Sequence, residues 1–136
     1  PRHFLTGTEL DAPDLAAILD RALALKAAPH SSDALRRQTV ALIFEKPSTR
    51  TRLSFEAGVA ELGGHPAVLR TDELQLSRGE SPRDTALVLS RMAAAVGMRT
   101  HDDAILERLD VDRHWIDLHF LHLSLADIPA GGRIPG

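Results

Sequence analysis

Residues 38–56, QTVALIFEKPSTRTRLSFE, join two different hydrophobic patterns through a short polar segment. The first pattern, over 38–44, is a continuous apolar run, which is typical of a strand buried on both faces of a parallel sheet. In the second pattern, Phe55, Val59 and Leu62 recur at the i, i+4 and i+7 spacing of one helix face. The two patterns predict a buried strand followed, after a polar turn, by an amphipathic helix.

The rest of the chain continues this alternation of strands and helices. The other predicted elements are a helix over 11–28, a strand over 65–70, a helix that follows the polar loop 71–81, a strand over 94–98 and a helix over 102–109. The order α-β-α-β-α-β-α with short connections predicts an α/β fold, a doubly wound parallel sheet flanked by helices. We expect residues 1–110 to form this domain and residues 111–136 to be a divergent tail without a second domain.

Capping residues and helical spacing define the predicted helices further. Asp11 and Pro13 suit the first turn of the first helix, Ser81 and Asp84 suit the start of the third, and Gly63-Gly64 is expected to end the second. Side chains expected to form apolar faces on the first and third helices are Leu15, Ile18, Leu19, Leu23, Leu87, Val88 and Met92.

Composition limits the classes of function. The 136 residues carry a net charge of −3 and include no cysteine. A broad nucleic-acid-binding surface is therefore not expected, and disulfides, thiolate catalysis and cysteine-ligated metals are excluded. No apolar run approaches the ~18 residues of a membrane span. We therefore predict a protein without nucleic-acid or membrane partners, with the cytoplasm as its default location.

The polar segment at Ser48, Thr49, Arg50 and Thr51 stands between a predicted strand and a predicted helix. The first turn of a helix offers unpaired backbone N–H groups and partial positive charge, and this edge of a parallel sheet is where α/β folds bind ligands. Three hydroxyls and the planar Arg50 guanidinium would complete an oxyanion cradle, most simply for a phosphate. The alternative is that Ser48 or Thr49 only caps the helix, with Arg50 and Arg52 solvated.

Three segments in suitable order resemble the carbamoyl-phosphate-binding domain of the aspartate/ornithine transcarbamoylase family. They are FEKPSTRTRLSFE (44–56), QLSRGESPRDTALVLSRM (75–92) and GMRTH (97–101). Lys46, together with ELGGH at 61–65, resembles the ornithine carbamoyltransferases more than the aspartate enzymes. The resemblance covers residues 1–110. It implies that carbamoyl phosphate and L-ornithine give L-citrulline and phosphate, in arginine biosynthesis, without a cofactor.

The resemblance also implies roles for individual residues. The residues that would bind carbamoyl phosphate are Ser48, Thr49, Arg50, Thr51, Gln75 and Arg99, with Arg50 and Arg99 as the catalytic pair. Gln75 would enter the site of a neighbouring subunit, which implies a homotrimer. Without the resemblance, Arg99 would be an ordinary arginine at a strand end and Gln75 an exposed loop residue.

The sequence departs from the family pattern in its last part. The SMG and HCLP loops of the family's amino-acid-binding domain are not found, so L-ornithine is expected to bind only if such a domain is supplied. The family histidine that polarises the carbamoyl oxygen is out of register, and His119 and His122 are the candidates to replace it. A zinc site at His114, His119 and His122 is the other interpretation, but no Cys or paired carboxylate completes it, so we predict no metal.

Two other functions remain compatible with these patterns. One is a binding module that holds carbamoyl phosphate or phosphate without turnover. The other is a trimer-forming remnant that associates with full-length relatives, and an aspartate-type enzyme is a minor further alternative. The intact cradle favours the enzyme or the binding module over the remnant.

Overall fold

The computed structural model describes residues 8–45, 47–70, 81–100 and 114–117, together with positions 4, 72, 74 and 79. At Pro82 and at 114–117 the description covers the backbone only. The elements are α1 (Ala12–Ala27), β1 (Thr39–Phe44), α2 (Thr49–Glu61), β2 (His65–Arg70), α3 (Pro82–Met92), β3 (Ala95–Arg99) and β4 (His114–Asp117). Six of the seven lie where the sequence predicts them, and β4 is the addition.

The strands form one sheet in the order β2-β1-β3-β4, and every pairing is parallel. Phe44, at the end of β1, lies opposite Arg70 on β2 and Arg99 on β3. The chain moves from β1 to one side to form β2 and then to the other side to form β3 and β4. The point at which the order reverses, between β1 and β3, is the topological switch point of the sheet.

Side chains of β1 alternate between two apolar clusters, one on each face of the sheet. The cluster on the α3 side contains Ala41, Ile43, Ala86, Ala93, Val96 and Met98. The cluster on the α2 side contains Val40, Leu42, Phe44 and Val59. Helices therefore cover both faces, which confirms the doubly wound α/β fold, and each fully buried side chain such as Leu42 contributes roughly 1.5–3 kcal/mol.

The predicted apolar faces of α1 and α3 are wrong in part. Ile18 on α1 is 49% exposed and Met92 on α3 is 73% exposed, and α1 has no buried residue. On α3 the buried residues are the small Thr85 and Ala86. The α3 side chains that pack against the sheet are Ala86 and Leu89, so Leu87, Val88 and Met92 lie on other sides of the helix.

β4 lies within residues 111–136, which the sequence analysis predicts to be a divergent tail. It pairs with β3 and so extends the sheet. The predicted helix over 102–109 and most of the loop 71–80 lie outside the described residues. None of the described helices combines the length and the hydrophobicity needed to cross a bilayer.

Candidate anion-binding site

α2 begins directly at the switch point of the sheet. Residues 45–48 connect the end of β1 to Thr49, the first residue of α2, and β3 ends beside them at Arg99. In open α/β sheets the crevice outside the carboxyl ends of the strands at this point is the usual ligand site. The fold therefore places the Ser48–Thr51 segment where a ligand is expected.

The start of α2 differs from the starts of the other two described helices. Asp11 accepts a hydrogen bond from the backbone N–H of Asp14 at 2.8 Å in α1, and Ser81 accepts one from Asp84 at 3.1 Å in α3. Ser48, the N-cap residue of α2, makes no such bond, and the first turn of α2 has no acidic residue. The capping of α2 by the Ser48 hydroxyl, one part of the alternative, is therefore wrong, whereas Arg50 is exposed as that alternative expects. The N–H groups and positive dipole end of α2 are left for another acceptor.

Three polar side chains converge beside this open helix end. Nη1 of Arg99 donates hydrogen bonds to Oγ of Ser48 and, at 3.3 Å, to Oγ1 of Thr51. The two hydroxyls are themselves hydrogen-bonded to each other at 2.9 Å. We call Ser48, Thr51, Arg99 and the N–H groups of the first turn of α2 the candidate anion site. Its formation brings together residues from two elements that are far apart in the sequence.

The hydrogen bonds of this cluster leave one hydroxyl proton of Ser48 and Thr51 without an acceptor in the described structure. A guanidinium can only donate, so both hydroxyl oxygens act as acceptors toward Arg99. The bond between Ser48 and Thr51 uses one of the two hydroxyl protons. The second proton makes no hydrogen bond to another described residue, and it can therefore be donated to an anion.

Arg99 also has an unused donor. Its Nε atom is buried and has no hydrogen-bond partner among the residues that the structure describes. Leaving a buried donor without an acceptor costs about 1–3 kcal/mol, and more for a charged group. The contacts of Nη1 with the two hydroxyls thus hold in place an arginine whose Nε has no acceptor in the described structure.

The two other predicted residues of the segment lie at the outer side of the site. Thr49 and Arg50 are exposed at the first two positions of α2, and neither side chain forms a hydrogen bond or ion pair with another described residue. The hydroxyl contacts are made by Arg99 and not by Arg50. Arg50 keeps all of its donors for a ligand.

The remaining predicted site residues lie outside the described residues. These are Gln75, His119 and His122, and for His114 only the backbone is described. In the described part of the chain, no group of three or more His, Asp or Glu residues is arranged to hold a metal ion.

The sequence did not indicate a second pair next to the site. The hydroxyl of Thr100 donates a hydrogen bond of 2.7 Å to Oε2 of Glu45. Glu45 directly follows β1 and Thr100 directly follows β3, and these two strands are neighbours in the sheet. The sequence could therefore have suggested the pair only through the rule that the ends of parallel strands meet at one edge of the sheet. Residue type alone did not distinguish Thr100 from other polar residues in turns.

Comparison with known sequences places most of the chain in one group of proteins. The family model described as aspartate/ornithine carbamoyltransferase, carbamoyl-P binding domain, matches residues 2–115. An ornithine carbamoyltransferase of Parafrankia sp. is 51% identical over 112 residues, which cover 79% of this chain and 35% of that protein. One from Ruegeria pomeroyi is 45% identical over 115 residues, covering 79% of this chain and 37% of that protein.

Solved structures agree with this match. The anabolic ornithine carbamoyltransferase of Campylobacter jejuni superposes with a TM-score of 0.79 at 36% identity, over 86% of this chain and 39% of that one. The Pyrococcus furiosus ornithine carbamoyltransferase gives a TM-score of 0.77 at 39% identity, over 85% and 38%. The chain thus spans between 35% and 39% of the length of these four proteins.

Proposed function

Because the chain belongs to the aspartate/ornithine carbamoyltransferase family, we propose that the candidate anion site binds carbamoyl phosphate. The observation that supports this most directly is the contact of Arg99 with Ser48 and Thr51 beside the uncapped start of α2. A phosphate fits this arrangement because helix N–H groups, a spare hydroxyl proton and a guanidinium all donate toward the same region.

The two arginines would have different tasks. Arg99 is half-buried and already fixed by the hydroxyls, so it is preorganised to face the oxygens of the ligand. Arg50 is exposed and forms no ion pair with a described residue, so it can close over the ligand after binding. Thr49, next to Arg50, would add a further hydroxyl or N–H donor at the helix start.

The proposed reaction is carbamoyl transfer to L-ornithine, giving L-citrulline and phosphate. The amine nitrogen attacks the carbamoyl carbon, and the bond from that carbon to the phosphate oxygen breaks. Negative charge develops on the carbonyl oxygen and on the departing phosphate, where Arg50 and Arg99 would stabilise it. Removing one such preorganised donor typically raises the barrier by ~3–4 kcal/mol.

Several finer properties belong to the same proposal. We propose that L-ornithine is held by a part of the enzyme beyond the matched domain, because the chain spans about a third of its relatives' length. We further propose a homotrimer in which Gln75 completes a neighbouring subunit's site, a cytoplasmic location and a place in arginine biosynthesis. Residues 1–110 would form the carbamoyl-phosphate domain, and residues 111–136 would form a divergent extension whose strand β4 joins the sheet of that domain.

A second candidate function is binding of carbamoyl phosphate without turnover. It is favoured by the match to the carbamoyl-P binding domain alone. An assay of citrulline formation separates the two functions, since only the enzyme produces citrulline from carbamoyl phosphate and L-ornithine.

Calorimetric titration with carbamoyl phosphate tests the site shared by both functions. We expect saturable binding that Arg50→Ala weakens about tenfold or more, because a charged hydrogen-bond donor is lost. The matched control is Arg52→Ala, which lies on the same helix and pairs with Glu56 at 3.5 Å. Absence of binding in the unchanged protein would refute the proposed site, and equal losses in the two variants would refute the role of Arg50 in it.

A further inference from the structure

Two hydrogen bonds join the segments that follow β1 and β3. The hydroxyl of Thr100, which is only 3% exposed, donates to Oε2 of Glu45 at 2.7 Å. The backbone N–H of Glu45 donates to the carbonyl oxygen of Arg99 at 2.9 Å. Adjacent residues of the β3 end therefore bind the main chain and the side chain of the same glutamate.

These bonds act on the same short connection as the anion site. Glu45 and Ser48 lie three positions apart, and both are bound by residues 99–100. The connection from β1 to α2 is thus fixed at its first residue by the Glu45 contacts and at its last by the Arg99 side chain. A change at Glu45 would be transmitted over a very short stretch of chain to Ser48.

We propose that Thr100 is a positioning residue for the anion site. Its hydrogen bond to Glu45 holds the β1–α2 connection against the end of β3, so that Ser48 stays within reach of the Arg99 guanidinium. Thr100 acts through Glu45 and does not touch the ligand. This inference rests on the proposed function, because it assigns Thr100 a task in the binding of carbamoyl phosphate.

The chemistry of the pair suits this task. A hydroxyl that donates to a carboxylate forms a short and comparatively strong hydrogen bond, and burial protects it from competition by water. Valine has nearly the shape of threonine but cannot donate, so Thr100→Val removes the bond with little change in volume. Thr100→Ser keeps the donor and removes only a methyl group.

The chain offers a matched control for the loss of a buried hydroxyl. Thr85 on α3 is 7% exposed, and its hydroxyl has no hydrogen-bond partner within the described part of the chain. Thr85→Val therefore makes the same chemical change as Thr100→Val at a buried position away from the β1–α2 connection.

The experiment measures carbamoyl phosphate affinity by calorimetry and the mobility of the Arg99 side chain by NMR. The Nε–Hε signal of Arg99, assigned from its loss in Arg99→Lys, reports how rigidly the guanidinium is held. We expect Thr100→Val to weaken binding about tenfold and to lower the heteronuclear NOE of this signal. Thr100→Ser and Thr85→Val should leave both quantities within about twofold of the unchanged protein.

Each result decides between the possibilities. Full binding and a rigid Arg99 signal in Thr100→Val would overturn the positioning role while leaving the proposed function intact. Equal losses in Thr85→Val would also overturn it, because the effect would then not depend on the hydrogen bond to Glu45. If the unchanged protein does not bind carbamoyl phosphate, the proposed function fails, and the NMR signal still shows whether Thr100 fixes Arg99.

Discussion

The guanidinium of Arg99 donates a hydrogen bond to the hydroxyl of Ser48, a residue 51 positions earlier in the chain. This contact spans the two neighbouring strands at the switch point, since Ser48 follows β1 and Arg99 ends β3. It converts a capping residue into part of a polar cluster, and the start of α2 is left without a side-chain cap. The start of α2 loses the stabilisation that a side-chain cap would give, and its N–H groups remain available as donors to an anion.

The planar shape of the Arg99 side chain should matter as much as its charge. Arg99→Lys keeps the charge, and one ammonium could still reach both hydroxyls as Nη1 does, but it lacks the further planar N–H donors that a guanidinium offers to an anion. We therefore expect carbamoyl phosphate affinity to fall about 10- to 100-fold. Arg70→Lys is the matched control, because Arg70 ends the neighbouring strand and also lies opposite Phe44. Arg70 pairs with Asp72 at 3.1 Å and is largely exposed, so its replacement should change affinity little. Similar losses in both variants, measured by calorimetry, would contradict a specific role for Arg99.

The two serine N-caps should respond to substitution in opposite ways. Ser48→Asp supplies the missing cap and a negative charge at the helix start, so the free energy of unfolding should rise by about 0.5–1 kcal/mol. The same carboxylate would occupy the site, and carbamoyl phosphate affinity should fall strongly. Ser81→Ala removes an existing cap, so it should cost about 1 kcal/mol while binding is unchanged. Urea unfolding and calorimetry measure both quantities, and a Ser48→Asp protein that still binds normally would argue against an anion at α2.

Local patterns were sufficient to predict the strand and the helix that carry the site. The apolar run before Glu45 and the spacing of Phe55 and Val59 depend only on neighbouring residues, and β1 and α2 lie where these patterns indicate. The placement of Ser48 and Thr51 at the edge of the sheet followed from the order of elements. This part of the fold could be predicted because it depends on residues that are close together in the sequence.

Contacts between distant segments could not be predicted in the same way. The strand-end position of Arg99 was expected, but its choice of Ser48 and Thr51 as partners depends on the reach of a side chain across two strands. Burial of Thr85 instead of the larger Val88 depends on which side of α3 is turned toward the sheet. Periodicity gives only the positions of side chains around one helix, so it specifies neither the partners of Arg99 nor the face of α3 that packs.

Two buried threonines should have opposite effects on stability. Thr85 buries a hydroxyl without a partner in the described structure, so Thr85→Val should raise the free energy of unfolding by up to about 1 kcal/mol. Thr100 donates to a carboxylate, so Thr100→Val should lower it by about 1–3 kcal/mol. Denaturant titration of both variants checks the difference, and a loss of stability in Thr85→Val would show that its hydroxyl has an acceptor.

Two glycines near the end of α2 should also differ in their response to alanine. A Cβ atom at Gly64 would lie 2.9 Å from Cβ of Leu35 and 3.0 Å from Cγ1 of Val59, whereas one at Gly58 would meet nothing within 4 Å. Gly64→Ala should therefore cost about 1–3 kcal/mol through overpacking beside a buried residue. Gly58→Ala, inside α2, should add about 0.5–1 kcal/mol because alanine favours the helix. Urea midpoints and their slopes give both values. Equal stability of the Gly64→Ala and Gly58→Ala proteins would contradict this prediction. It would mean that Gly64 has more space beside Leu35 and Val59 than the structure shows.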